Sequence, residues 1–398
     1  MPITELRHAK LVMPDRIENR PLWMAQDSFV AAQIRADVSI NLSNHLIFPA
    51  WINAHDHLHL NHVPPSPTTP AAGSYADSYE WIDAFQTHFD HPAVKAALAI
   101  PKTDRYRFGG LKNALSGATT VMHHDPWHTA FDAPDFPVRV MKQYGWSHSL
   151  GLSARGQYGP TVIESYQSTP PDTNWFIHLA EGRSILAQGE LMQLLPMDCL
   201  HANTVLIHGV GLSERDIDEI IAHRATVIWC PSSNLKMLGC SLNPRRLYDA
   251  GCLGLGTDSR LTGSSDLLAE LPIAKACSDL TLRELFELIT TRNRTVVQIP
   301  DAGRLDIGGH ADCVIVRDDG RDPFETLLDM TRASVRAVVR NGLPLVADPD
   351  LADWFSASGV PTLPIIIDNA PKLIDAHYWL PRFHEMDRLT YMEVPHVA

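Results

Sequence analysis

Between residues 49 and 259 the chain repeats one pattern. An apolar, strand-like run closes on polar or ionisable residues and is followed by a stretch with helical spacing. The runs are LIFPAWINA leading into His55, TTVMHHD at 119–125, SHSLGLSA near 147–154, WFIHLAE at 175–181, TVLIHGV at 204–210, TVIWCPS at 226–232 and LGLGTDS at 253–259. SERDIDEIIAHRA begins on a Ser cap and then spaces its apolar residues as a helix does, and LTLRELFELITTRNRTVV repeats the device. Strand and helix in alternation mean βα units around a parallel sheet. The expectation is an α/β fold, a (β/α)8 TIM-like barrel over 49–302. The stretch between Ala154 and Trp175 is short for a full unit, so fewer than eight strands are clear and an irregular barrel stays open. Residues 1–48 and 303–350 read as β, the latter through GRLDIGGHADCVIVRDD and SVRAVVRNGLPLVAD, which predicts one small β-sandwich domain built from both segments. Residues 351–398, with five prolines and a strand-like PIIID, form a C-terminal extension.

The chemistry-bearing residues fall at the ends of these runs. His55 and His57 flank Asp56 at the end of an apolar run, and strand alternation would put both imidazoles on one face, close enough to grip one ion. In a chain with 20 histidines that motif alone could arise by chance. His178, His208 and Asp258, however, also lie at or near the C-terminal ends of strand-like runs, where barrel enzymes assemble their sites. Imidazoles and a carboxylate suit Zn²⁺ or Fe²⁺, with a position left for a water whose pKa the ion lowers, so that metal-bound hydroxide is the expected nucleophile. Glu181 follows His178 by three residues and can face the same site only if the chain bends after Ala180, which Gly182 allows. Beside such a water it would serve as proton shuttle; elsewhere it would be a solvated loop carboxylate.

Composition narrows the partners. A formal charge of −13 without clustered Lys and Arg argues against nucleic acid. Apolar residues make up 45% and no run of about eighteen of them occurs, which argues against a membrane span. Six scattered cysteines without a CxxC pair suit a reducing compartment, and MPITELRHAK lacks the apolar stretch of a secretory signal, so a cytoplasmic location is expected. A small-molecule substrate is the expected partner, and a homodimer the expected assembly.

PAWINAHDHLHL, FIHLAEG, VLIHGVGLSERD, WCPSSNLKM and LGLGTDS, in this order, resemble the motifs of the amidohydrolase superfamily over most of the chain. The nearest resemblance is to the branch holding methylthioadenosine/S-adenosylhomocysteine deaminases, guanine deaminase and triazine hydrolases. It implies that His55, His57, His178 and Asp258 hold one divalent metal, Zn²⁺ ahead of Fe²⁺ or Mn²⁺. It also implies that Glu181 is the proton shuttle and that His208 polarises the substrate or the attacking water. The expected reaction is hydrolytic deamination of a planar N-heterocycle. Hydrolysis of an amide, carbamate or urea C–N bond on the same site is the alternative, and a catalytically silent metal-binding homologue the second. The chain departs from the branch at TDSRLTGSSDLLAEL, where Arg260 follows the metal aspartate, so the pocket differs from that of a standard nucleoside deaminase. No lysine stands in a strand-end context suited to bridging two ions, which favours a single metal. Candidate substrate contacts are Trp81 in the lid-like SYEWIDAFQTHF, His123 and His124, Arg155 and Tyr158, and Arg260; His59 and His62 are undecided.

Overall fold

A computed structural model describes residues 1–64, 73–380 and 383. Eight short parallel strands carry the centre of the molecule: β1 (Trp51–Asp56), β2 (Ala118–His123), β3 (Arg139–Val140), β4 (Gly145–Ser149), β5 (Trp175–Leu179), β6 (Thr204–His208), β7 (Thr226–Trp229) and β8 (Leu253–Leu255). They form a three-stranded sheet in the order β3-β2-β1 and a five-stranded sheet in the order β4-β5-β6-β7-β8. Strand β3 is the one that periodicity does not reveal. It is two residues long and follows the Pro-interrupted segment APDFP, too short to alternate.

The strands read as continuous apolar runs because both of their faces are buried. Phe176, Val205, Ile207 and Ile228 fall in one core cluster, while Trp175, Ile177, Leu206, Val227 and Trp229 fall in another. The first and last strands are stitched together. The backbone N–H groups of Thr257 and Asp258 donate to the carbonyl of His55. The Asn293 amide donates to the carbonyls of Ile52 (2.6 Å) and Leu255 (2.7 Å), and its oxygen accepts from Leu255 N–H (3.0 Å). Gly256 is required at this seam, since a Cβ there would stand 2.7 Å from His55 Cβ.

Among the helices, α1 (Ser78–Gln86) is capped by Asp77 and α2 (Lys102–Leu115) packs behind β2. Helix α3 (Glu214–His223) starts in a capping box between Ser213 and Asp216, and α4 (Pro231–Leu238) leaves directly from the end of β7. The predicted helix over 280–297 is continuous but carries a π-helical stretch at Leu288–Arg292, immediately before the clamp residue Asn293.

Segments from both ends of the chain share sheets. His45–Pro49 pairs antiparallel with Cys313–Arg317 inside an eight-stranded sheet, and Thr4–Arg7 is central to a four-stranded one. The hairpin Thr362–Ile367 and Ala370–Asp375, from the segment that sequence sets apart as an extension, forms the edge of the eight-stranded sheet next to Leu343–Ala347. The same segment begins with a short helix, Ala352–Ala357; beyond residue 380, apart from Phe383, it lies outside the described residues. No helix among the described residues is long and apolar enough to cross a membrane.

Because Asn293 satisfies three buried backbone groups, Asn293→Ala is expected to cost about 3 kcal/mol, seen as a lower urea midpoint at unchanged m-value.

Candidate metal centre

Four strand ends converge on one point. His55 and His57, His124, and His178 each offer a ligand atom, and these atoms lie within 4.8 Å of one another. His57 Nε2 and His178 Nε2 face each other at 3.4 Å. Asp258 Oδ1 lies 3.7 Å from His55 Nε2 and 3.8 Å from His57 Nε2. Two imidazole nitrogens in contact, and a buried His55 whose ring nitrogens make no hydrogen bond, are costly unless a cation occupies the space between them. The nitrogen and carboxylate donors fit a divalent metal of borderline softness.

Orientation agrees with that fit, while electrostatics divide the rings. Burial would lower the pKa of His57, but its hydrogen bond to Asp125 and the nearby carboxylates raise it to about 9, so this ring gives up a proton when it binds an ion. Burial pushes the pKa of His55 down to about 4 and that of His178 well below its ordinary value, so both stay neutral, as ligands must. Burial alone would raise the carboxyl pKa of Asp258, but His55 and His57 hold it well below the usual range. His57 Nδ1 is 2.9 Å from Asp125 Oδ2, and His178 Nδ1 is 2.9 Å from the carbonyl of His148. Each ring thus donates its N–H outward and keeps the Nε2 lone pair toward the cluster. Asp258 is held by Ser259 N–H, Ser233 Oγ and Thr262 Oγ1 at 2.6–2.8 Å. Asp56, between the paired histidines, takes no part. It is wholly buried, salt-bridged to Lys112 (3.0 Å) and bonded to Asn113 and Asn61.

Glu181 reaches the cluster through a bend. Ala180 has φ +53° and Gly182 φ +157°, where a Cβ would strike Asp77 at 2.4 Å. Burial raises the carboxyl pKa of Glu181, and its Oε1 lies 3.3 Å from His208 Nε2. His208 has φ +77°, and its Nδ1 is 2.9 Å from Asn234 Oδ1. The amide oxygen can only accept, so Nδ1 carries the proton and the His208 Nε2 lone pair faces Glu181. A proton shared by Glu181 and His208 satisfies both. Asp258, at φ +56°, is a third strand-end residue turned inward by a left-handed backbone.

These groups open on a cavity of about 550 Å³ whose wall is chiefly apolar, with His57, His178, Glu181, His208 and Asp258 on one side and Trp81, Phe85, Trp146 and Leu261 among the rest. Trp81 stacks on Phe85 with ring centroids 5.2 Å apart. Tyr158 also lines the cavity, its hydroxyl 2.5 Å from Gln86 Nε2. Arg155 does not: it is paired with Asp83 at the surface and lies over the Tyr79 ring. Arg260 is tied through its backbone N–H to Asn61 and is not among the residues of the wall. His123 turns from the cavity toward Tyr106 and Phe131, whereas His124 stacks on His178 at 4.4 Å. His59 lines the cavity, and His62 Nε2 is bonded to the carbonyl of Ala97.

Several working groups escape a sequence reading. Ser233 and Asn234 lie in the quoted WCPSSNLKM motif, but nothing in its spacing assigns them partners. Glu190 has no sequence signal. It accepts from Ala180 N–H (2.6 Å) and Tyr79 Oη (2.5 Å), and so fixes the bend that aims Glu181.

The sequence profile of the amidohydrolase family matches residues 172–345. A 5-methylthioadenosine/S-adenosylhomocysteine deaminase of Thermococcus kodakarensis is 30% identical over 336 residues, covering 71% of this chain and 76% of that one. Among solved structures, a zinc-bound adenosine deaminase from Xanthomonas campestris shares the fold with TM-score 0.69 at 14% identity, over 89% of this chain and 97% of that one. A zinc-complexed atrazine chlorohydrolase from Arthrobacter aurescens does so with TM-score 0.67 at 18% identity, over 89% and 99%. The chain belongs to the amidohydrolase family. It is a metal-dependent hydrolase acting on C–N bonds, with the TIM-barrel-type fold of its neighbours.

Burial raises the Glu190 carboxyl to about 7, so its contribution to stability is complete below the unfolded value near 4.5 and is lost as pH rises through 7. Glu190→Gln is therefore expected to flatten the fall of the melting temperature between pH 5 and 8, removing a dependence worth at most about 3 kcal/mol.

Proposed function

We propose that the chain catalyses hydrolytic deamination of a planar N-heterocycle, at a divalent ion held by His55, His57, His178 and Asp258. The observation that carries this reading is the Glu181–His208 pair, 3.3 Å apart at the edge of an apolar cavity and beside the ligand cluster. When bound, the ion, Zn²⁺ by preference, supplies a Lewis acid that makes a water nucleophilic near neutral pH. Glu181 takes the proton released as water adds to the ring carbon and delivers it to the ring nitrogen or the departing amine. Its raised pKa suits both halves of that task. His208, anchored by Asn234 through Nδ1, takes at Nε2 the proton it shares with Glu181 and presents it to charge developing on the substrate, and Asp258, anchored by three donors, receives a proton or orients the water. Trp81 and Tyr158 border the space open to a flat ring. The relatives named deaminases support the reaction class.

In the same reading, residues 49–302 form a closed eight-stranded barrel whose seam is clamped by Asn293. Residues 1–48 and 303–350 form the accompanying β-sandwich domain, to which the hairpin at 362–375 adds an edge.

Glu181→Gln is expected to lower ammonia release from the best substrate in a panel of purines, pterins, pyrimidines and triazines by 10² to 10⁴-fold, with bound metal unchanged. Full activity in that variant overturns the assignment. Metal removal by a chelator is expected to abolish activity reversibly, and cleavage of amides or carbamates without ammonia from any heterocycle would transfer the site to C–N hydrolysis of that kind.

A further inference from the structure

His124 has no role in the mechanism above, yet it is one of the four imidazoles whose ligand atoms cluster within 4.8 Å. It follows the last residue of β2, so it comes from a strand that supplies none of the other ligands. The side chain is 1% exposed. Its Nε2 stands 3.1 Å from the carbonyl of Ser147, and a carbonyl can only accept, so Nε2 carries the ring proton. Nδ1 is then a bare lone pair. It is buried and has no hydrogen-bond partner. The ring stacks on His178 at 4.4 Å and lies edge-on to His55 at 5.4 Å, so both neighbours are residues already assigned to the ion.

The arrangement repeats that of His178 with the nitrogens exchanged. One nitrogen of His178 donates to the carbonyl of His148 and the other faces the cluster. One nitrogen of His124 donates to the carbonyl of Ser147, on the same strand β4, and the other is left without a donor. A buried lone pair without a donor costs about 1–3 kcal/mol, and His62 bears one too, its Nε2 on the carbonyl of Ala97; what distinguishes His124 is that its ligand atom falls within the imidazole cluster. The neighbouring trio His59, His123 and Asp125 differs. There Leu58 N–H donates to His123 Nδ1, so the other nitrogen of His123 bears a proton and turns it to the Asp125 carboxylate 4.0 Å away.

We propose that His124, through Nδ1, is a fifth protein ligand of the divalent ion, making the centre four imidazoles and one carboxylate. The proposal rests on the ligand assignment of the preceding section. It implies an ion that tolerates more than four ligands while keeping a water position, so Fe²⁺, Mn²⁺ or Co²⁺ replaces the Zn²⁺ preferred above for a four-ligand site.

The test is X-ray absorption on the Co²⁺-loaded full-length protein, together with chelator competition on His55→Ala and His124→Ala. Four imidazole nitrogens in wild type are expected, with three in His124→Ala. The variant's visible Co²⁺ bands should change, and its affinity should fall by at least tenfold. Three imidazoles in wild type, or an affinity and Co²⁺ spectrum unchanged in His124→Ala, overturn the proposal. The wild-type count needs no variant to fold. If His55→Ala also keeps wild-type affinity, the ligand assignment itself falls; if His55→Ala loses the ion and His124→Ala does not, only the fifth ligand falls.

Discussion

The site depends on where each imidazole hands its proton. A histidine ligates through a lone pair, and in a buried cluster the nitrogen that keeps one is decided by what accepts the N–H of the other. Asp125 takes that role for His57, the carbonyl of His148 for His178, the carbonyl of Ser147 for His124 and the amide of Asn234 for His208. Two of these acceptors are backbone groups of β4 at successive residues, so the path of one strand orients two rings. Burial reinforces the choice by opposing the imidazolium form of His55, His124 and His178.

Around this centre the backbone departs from ordinary strand geometry where the chemistry requires it. Ala180, His208 and Asp258 take left-handed conformations just as their strands end, turning groups inward that alternation along the strand would direct elsewhere. The strain is held by specific bonds: Glu190 on Ala180 N–H, Asn234 on the His208 ring, and Ser233, Thr262 and Ser259 N–H on Asp258. Behind the centre, the wholly buried Asp56–Lys112 pair is satisfied by Asn113 and Asn61, which anchors the segment bearing His55 and His57 against α2. Removing either charge would leave the other unpaired in the core.

The tertiary arrangement separates residues that sequence cannot rank. His123 and His124 are adjacent and equally buried, but one turns to Tyr106 and Phe131 and the other packs among the rings of His55 and His178. Arg155 and Tyr158 follow the same strand, yet Asp83 holds the first at the surface while the second borders the cavity. These outcomes depend on partners distant in the chain, and no local spacing encodes them.

What the sequence by itself determined was the α/β alternation and the placing of His55, His57, His178, His208 and Asp258 at strand ends. Both follow from short-range rules: continuous apolar runs for strands buried on two faces, and caps and 3.6-residue spacing for helices. It also required a bend between His178 and Glu181, since strand alternation forbids their sharing a face. The two-residue strand Arg139–Val140, the clamp by Asn293, the support of Ala180 by Glu190 and the turn of His124 toward the ligands were decided only by the tertiary structure. Each depends on which groups meet across tens to hundreds of residues, and on the rule that a buried donor or acceptor must find a partner wherever the fold happens to bring one.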